Sequence, residues 1–381
     1  MRILHTAHSY APEVSGVAEV VGQISMRLAH RGHEVHVATE RPPSAPQEEV
    51  FNGVYIRRFT VRGNAATGMQ GDVGGYLRFV CSGLWDVLAM HCAQTWTTDA
   101  LLPHLNQISA RKVFVGHGFS TLYDAKYQDY FVELAESLRQ VDGIVALSDL
   151  LEEVPFCAKH GLPEPQIIPN GVDLAEWGAP THALRERWGI GKRPWLLSVS
   201  NHSPVKGHSA FFEVVRRVRK QLPSVIGTII GGHYPAAKWN LGRLGIRGGC
   251  WYRCRFAASL MSGVLLHWDV ARKDVVSAIQ EGDVILITSS REASPLVVLE
   301  GMAAGTPWIS FDVGCVREHT GGFVVKRPDE MVDKTCQLLA DSALRQELGA
   351  AGHQRVQMRH TWDEVTTQYE ALYQDLLSSR Q

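Results

Sequence analysis

Short apolar runs rich in β-branched residues alternate with amphipathic stretches along the whole chain, and this alternation constrains its fold more than any other feature. Ile3–Ala7, Val35–Thr39, Val87–His91, Val113–Gly116, Ile144–Leu147 and Gln166–Ile168 read as strands. Between the first two, Ala18–His30 places Val20, Val21, Ile24 and Leu28 on one helical face, with Gly32 positioned to end it. Alternation at this spacing builds βαβ units and a mainly parallel sheet. A second series runs through Trp195–Val199, Val225–Ile230, Val264–His267, Val284–Thr288 and Trp308–Phe311. The chain has 381 residues, enough for two domains of ordinary size.

The sequence therefore predicts an α/β protein with two doubly wound sheets, joined near Pro169–Pro194. Ligands of such sheets bind outside the carboxyl ends of the strands, and the cleft between two such domains is the default site. Thr361–Leu377 reads as a helix with Trp362, Val365, Tyr369, Leu372 and Leu376 in register, able to cross back onto the first domain. The glycine-rich stretch Asn64–Gly75 reads as a mobile loop.

Net charge is -1, which gives no general attraction to nucleic acid or another polyanion. Seven dispersed cysteines argue against a disulfide framework and for a reducing, cytoplasmic compartment. Cys250 and Cys254 are close in sequence, but no neighbouring Cys or His pair completes a zinc site, so they read as free thiols and no metal is expected. Met1–Ala7 carries no signal-peptide core, and no run reaches the roughly 18 to 20 apolar residues of a membrane span. The expectation is a soluble protein, at most peripheral at the inner face of a membrane.

Chemistry concentrates in Ser289–Pro307. A strand ends at the serines and a helix starts near Pro295, where proline suits a first turn. Glu292 lies in the intervening loop, beside free backbone N–H groups and the positive end of the helix dipole. Phosphate oxygens suit those amides of Ser294, Pro295, Leu296 and Val297 (all but the proline donate), and a carboxylate beside them suits sugar hydroxyls. Glu300 follows about two turns along the helix. Lys206 ends a strand–loop segment, Ser198–Gly207, where a point charge would neutralise a diphosphate. His117 ends the strand Lys112–Gly116 and faces the crevice. His5 and His91 read as structural.

Two glutamates eight positions apart, followed by a small-residue helix and Gly305-Thr306-Pro307, resemble the signature of glycosyltransferase family four. Ile168–Asp173 resembles that family's Asn-Gly-Val-Asp turn, and Lys206-Gly207 its diphosphate-binding lysine. The resemblance implies the GT-B fold: two Rossmann-like domains facing a central cleft, here residues 1–175 for the acceptor and 190–360 for the nucleotide sugar, with 361–381 returning to the first. It implies a metal-independent, retaining hexosyltransferase with no cofactor, moving sugar from a UDP- or GDP-sugar to a glycan, lipid-linked or small-molecule acceptor in cell-envelope or polysaccharide synthesis. Front-face displacement, with the donor phosphate accepting the acceptor's proton, follows from the family. By the same resemblance His117 approaches the donor sugar, Glu292 contacts the transferred sugar and Glu300 the ribose.

The chain departs from the family at two loops. Ser200-Asn201 stands where the family carries Gly-Arg, and Val17 replaces the second of a glycine pair, leaving Gly16. These departures keep alive a non-catalytic nucleotide-sugar-binding relative; a GT-B epimerase is the rival enzyme. Residues 238–256 mix Arg243, Arg247, Arg253 and Arg255 with Trp239, Trp251, Tyr252 and Phe256. Such a face suits an anionic membrane or a phosphate-bearing acceptor, or equally a solvated insertion spreading positive field.

Overall fold

The computed structural model describes residues 1–178, 183–232 and 249–379. Its contacts divide into two compact units, Met1–Gly171 with Trp362–Gln381, and Val172–Thr361.

The first unit is built on an eight-stranded sheet. Its strands are β1 (Arg2–Thr6), β2 (Glu34–Glu40), β3 (Glu48–Phe51), β4 (Val54–Phe59), β7 (Val87–His91), β8 (Arg111–Val115), β9 (Gly143–Ala146) and β10 (Gln166–Ile167), in spatial order β10-β9-β8-β7-β1-β2-β4-β3. All pairings are parallel except β3 with β4, a hairpin at the edge that the sequence reading had not marked. Ile3 pairs with Val35 on one side and Val87 on the other, so strand order reverses between β1 and β7. Ile3, Leu4, His5 and Thr6 are fully buried, as expected of a central strand covered on both faces.

Helix Gly16–His30 is capped by Ser15, whose Oγ accepts from the amide of Ala18 at 3.1 Å, and it buries Val20, Val21, Ile24 and Leu28. Against it packs the terminal helix Trp362–Ser378, through buried Trp362, Val365, Tyr369 and Tyr373. Arg27–Asp363 at 3.0 Å and Arg31–Glu370 at 2.8 Å align the two helices. Such part-exposed pairs add little energy, so the aromatic face supplies the attachment.

One expectation needs correction here. Asn64–Gly75 is an ordered hairpin of β5 (Val61–Asn64) and β6 (Gly68–Gly71) followed by the start of helix Val73–Ser82, which Asp72 caps. Buried Asp99 holds the hairpin by accepting from Ala65 N at 2.9 Å. Its glycines serve close approach: a Cβ on Gly63 would fall 2.0 Å from the Gly68 carbonyl. The Asn170-Gly171 pair, in turn, lies outside the positive-φ residues. Gly171 is required because a Cβ would stand 2.8 Å from the Trp362 ring.

The second unit carries a wholly parallel six-stranded sheet. Its strands are β11 (Trp195–Val199), β12 (Ile226–Ile230), β13 (Val264–His267), β14 (Val284–Ile287), β15 (Trp308–Phe311) and β16 (Gly322–Val325), in order β13-β12-β11-β14-β15-β16. This is the dinucleotide-binding order, with its switch point between β11 and β14. Val172, Trp177, Leu184 and Ile190, expected at the joint, are core residues of this unit. Buried Trp195 donates Nε1–H to Thr228 Oγ1 at 2.8 Å. Both units are Rossmann-like, and no helix among the described residues is long and apolar enough to cross a membrane.

Trp362 is 2% exposed and seats the returning helix. Trp362→Ala is expected to cost about 3–5 kcal/mol, read as a lowered urea midpoint with helix content retained at zero denaturant.

Candidate active site

The loops that follow β11 and β14 emerge side by side because the two strands are neighbours, Leu196 pairing with Val284. Their backbones are laced together. Ser290 N donates to the Val205 carbonyl at 2.8 Å, and Thr288 Oγ1 donates to the Lys206 carbonyl at 3.2 Å. Gly207 makes the approach feasible: its φ is +64, and a Cβ would lie 1.9 Å from the Thr288 carbonyl oxygen. Lys206 Nζ thereby reaches Glu292 Oε1 at 2.7 Å. Ser289 Oγ donates to the same oxygen at 2.6 Å. Behind Glu292, Gly314 (φ +52) leaves no space for a Cβ against the Glu292 and Ala293 carbonyls, and Cys315 N donates to Ala293 O at 2.9 Å. Two residues 86 positions apart thus form one ion pair at the switch point.

Pro295 caps helix Leu296–Ala304 and makes no side-chain hydrogen bond to its first turn. Ser294 precedes this turn, and Leu296 and Val297 stand at its half-buried start. Along the helix Glu300 pairs with Arg272 at 2.5 Å, and Arg272 also donates to both Glu176 oxygens at 2.8 and 2.7 Å. Burial by itself works to lower the guanidinium. The hydrogen bond to Glu176 and the charges of Glu300 and Glu176 outweigh it and hold Arg272 above its ordinary range.

Arg272 was missed from the sequence. The available signal was a cation at the first position of helix Arg272–Glu281, where the dipole opposes it. Such a residue needs carboxylate partners from elsewhere in the fold.

Asn201, in the place of the family's arginine, accepts from Gly232 N at 3.2 Å through Oδ1. It is loop scaffold, carrying no charge. The reading of Cys250 and Cys254 as thiols without a histidine pair is overturned. His202 and His208, more than 40 residues earlier, lie beside them, because helix Gly249–Ser259 packs on helix His208–Gln221. That helix also carries Trp251, Tyr252, Arg253, Arg255 and Phe256, with Phe256 67% exposed. Lys238, Trp239, Arg243 and Arg247 lie outside the described residues.

In the first unit His117 follows β8 with φ +58, a left-handed backbone unusual for a non-glycine residue and one found at functional positions. Its Nε2 lies 2.9 Å from His91 Nδ1 at the end of β7. The His91 and His5 rings stand 5.2 Å apart, and His5 Nε2 lies 3.4 Å from the Tyr373 hydroxyl. Burial pushes His117 down to about 4 and His5 to about 3, and holds His91 well below its ordinary value. The row is neutral at pH 7, so His91 and His117 share one hydrogen bond as donor and acceptor. Of the two histidines expected to be structural, His91 bonds His117 directly, while His5 lies against the His91 ring and bonds Ser25 and the Tyr373 hydroxyl.

Glu153 is a second missed residue. Fully buried, it accepts from Gly118 N at 2.5 Å, and burial pushes its carboxyl up to about 7. A Cβ on Gly116 would meet its Oε1 at 2.2 Å. Gly16, the one glycine left of the family's pair, begins helix Gly16–His30, and a Cβ there would meet nothing within 4 Å.

The comparisons with known proteins agree with this organisation. Residues 14–176 match the model of Glycosyltransferase Family 4, and residues 181–355 that of Glycosyl transferases group 1. A D-inositol 3-phosphate glycosyltransferase of Xylanimonas cellulosilytica is 26% identical, over 96% of this chain and 93% of that protein. Sucrose-phosphate synthase from Thermosynechococcus elongatus superposes with a TM-score of 0.81 at 18% identity, covering 99% of both chains. Anabaena HepE in complex with UDP and glucose gives 0.77 at 15% identity, covering 98% of this chain and 100% of that one.

Two outcomes are expected. Gly207→Ala should force the laced loops apart, lowering thermal stability and weakening anion binding together, which calorimetry with inorganic diphosphate measures. Glu153 binds its proton more tightly folded than unfolded, so its ionisation subtracts stability as pH rises from about 4.5 through about 7. Glu153→Gln should gain on the wild type across that window by up to about 3 kcal/mol. A pH-independent difference between their urea unfolding free energies would contradict the assignment.

Proposed function

Because the chain belongs to the glycosyltransferases of family 4 and group 1, we propose that it moves a hexosyl unit from a nucleotide-diphosphate sugar to a hydroxyl acceptor with retention of configuration. The observation carrying this reading is the Lys206–Glu292 pair at the β11/β14 switch point, next to a helix start without a side-chain cap. A diphosphate is anionic and a sugar is a set of hydroxyl donors, so the two halves of this pair suit the two halves of a donor.

The pair is an ion exchanger in miniature. Without donor, Lys206 and Glu292 neutralise each other in a half-buried setting. On binding, diphosphate oxygens take over Lys206 and the amides at Leu296 and Val297, while sugar hydroxyls donate to Glu292. Charge on the leaving diphosphate grows as the glycosidic bond breaks, so Lys206 and the helix dipole stabilise the transition state more than the ground state. Glu300, already anchored by Arg272, would accept from ribose hydroxyls. His117, neutral at pH 7, would donate or accept a hydrogen bond at the sugar without adding charge. We assign no nucleophile among the carboxylates: Glu292 is occupied by a lysine and a serine, which suits hydroxyl binding better than attack. Front-face displacement, with the donor phosphate as base, fits that arrangement and asks no divalent ion of the reaction.

The likeness to HepE in complex with UDP and glucose puts UDP-sugars first among donors. The inositol phosphate glycosyltransferase relative makes a cyclitol phosphate the first acceptor to try, ahead of cell-envelope glycans.

The test is release of nucleoside diphosphate from UDP-, GDP- and ADP-sugars, with the acceptors above and no added divalent metal. One donor should turn over; Lys206→Ala and Glu292→Gln should each lower kcat/KM by about 100- to 1,000-fold. The anomeric configuration of the product, read by NMR, should match the donor. Donor binding without turnover, or interconversion to an epimeric sugar without diphosphate release, would sink the proposal.

A further inference from the structure

Four side chains in the second unit meet in a way that the nucleotide-sugar chemistry does not use. His202 lies in the loop after β11 and His208 opens helix His208–Gln221. Cys250 and Cys254 stand four positions apart on helix Gly249–Ser259, so both sulfurs project from one face. One ligating atom from each of the four residues lies within 4.8 Å of all the others.

The details are those of a ligand set. Both cysteine sulfurs stand 3.6 Å from the same atom, Nδ1 of His208. The other nitrogen of that ring, Nε2, is 2.9 Å from Ser200 Oγ. Nε2–H donating to this hydroxyl leaves the Nδ1 lone pair facing the sulfurs, the outer-shell arrangement that fixes the tautomer of metal-binding histidines. His202 is only 5% exposed, and neither of its ring nitrogens has a hydrogen-bond partner apart from the cysteine sulfurs beside it. Burying an imidazole with both nitrogens unsatisfied costs free energy, so a partner of another kind is called for.

Zinc–sulfur bonds of about 2.3 Å and zinc–nitrogen bonds of about 2.0–2.1 Å place tetrahedral S and N ligands about 3.5 Å apart. The two S–N separations already have that value. The other separations, all within 4.8 Å, have to close by no more than about 1 to 1.5 Å to reach the edges of the same tetrahedron. Two thiolates with two imidazoles select zinc over magnesium or calcium.

We propose that His202, His208, Cys250 and Cys254 bind one zinc ion in a closed tetrahedral site. Four protein ligands leave no position for substrate or water, so the ion is structural. It ties helix Gly249–Ser259 to the loop that presents Lys206 and to the helix behind that loop. Ser200 takes part as the outer partner of His208, which gives this position a use that glycine could not serve.

The experiment is metal analysis of the full chain, purified under reducing conditions without chelator from zinc-supplemented cells. One zinc per chain is expected, falling to none in Cys250→Ser and Cys254→Ser. Those variants can fail to fold, so the wild type is also loaded with cobalt alone. Tetrahedral ligation by two thiolates gives intense visible d–d bands and a thiolate-to-cobalt charge-transfer band. A pale octahedral spectrum, a zinc content near zero, or a Cys250–Cys254 disulfide in the native protein by mass spectrometry would each overturn the site. These readouts are independent of whether any nucleotide sugar is turned over.

Discussion

The candidate site depends on one steric fact: the backbone after β11 and the backbone after β14 run too close for a side chain between them. Gly207, in a left-handed conformation, has no room for a Cβ against the Thr288 carbonyl. Given that contact, the amide of Ser290 reaches Val205 and the hydroxyl of Thr288 reaches the Lys206 carbonyl. Lys206 and Glu292 then have little choice of partner. Side-chain ion pairs are weak organisers by themselves, because ordering two flexible chains offsets most of the Coulomb gain. Here the backbone has already done the ordering. A rigid sheet edge placing charges is how α/β folds come to bind ligands at the switch point.

The named groups of the two units are treated in opposite ways. In the second, charge is retained by pairing: Lys206 with Glu292, and Arg272 with Glu300 and Glu176. Pairing keeps a half-buried site charged yet locally neutral, so an incoming anion exchanges partners without first having to create charge. In the histidine row and Glu153 of the first unit, charge is removed by burial. His5, His91 and His117 are held neutral, and the Glu153 carboxyl is pushed up to about 7. A neutral row of rings orients hydrogen bonds, and it spares the core the cost of desolvating ions. These are complementary solutions to one problem, how to keep polar groups inside a fold.

The loop Ser200–Gly207 shows how a departure from a family pattern can be read physically. An arginine there would contribute a charge and a fork of donors. Asn201 contributes a carbonyl that holds the Gly232 amide, and Ser200 contributes a hydroxyl on His208. The loop has exchanged charge for anchorage, and the His–Cys cluster extends that anchorage to helix Gly249–Ser259. Lys206 remains as the loop's cation, standing on a better-fixed base.

Much of this protein was legible in its residues. The alternation of apolar runs and amphipathic stretches predicted two doubly wound sheets, because period-2 and period-3.6 burial are local properties of the chain. Glu292, Lys206 and His117 could be singled out for the same reason: each stands in a loop that follows a strand, and strand ends are visible in a sequence; Glu300, inside its helix, was singled out by its spacing from Glu292. What was not legible is contact between elements distant in sequence. Arg272 was invisible because its carboxylates come from Glu176 and Glu300, and His91 because a histidine inside a strand does not reveal its neighbour. The hairpin at Asn64–Gly75 passed for a mobile stretch because its anchor, Asp99, lies 34 positions from Ala65. Cys250 and Cys254 passed for isolated thiols because their histidines lie 42 positions away and more, across a helix pair. Local periodicity determines which elements form and which residues stand at their ends. Only packing decides which ends meet, because the distances that matter to chemistry, about 3 Å, are set by close-packed side chains and not by spacing along the chain.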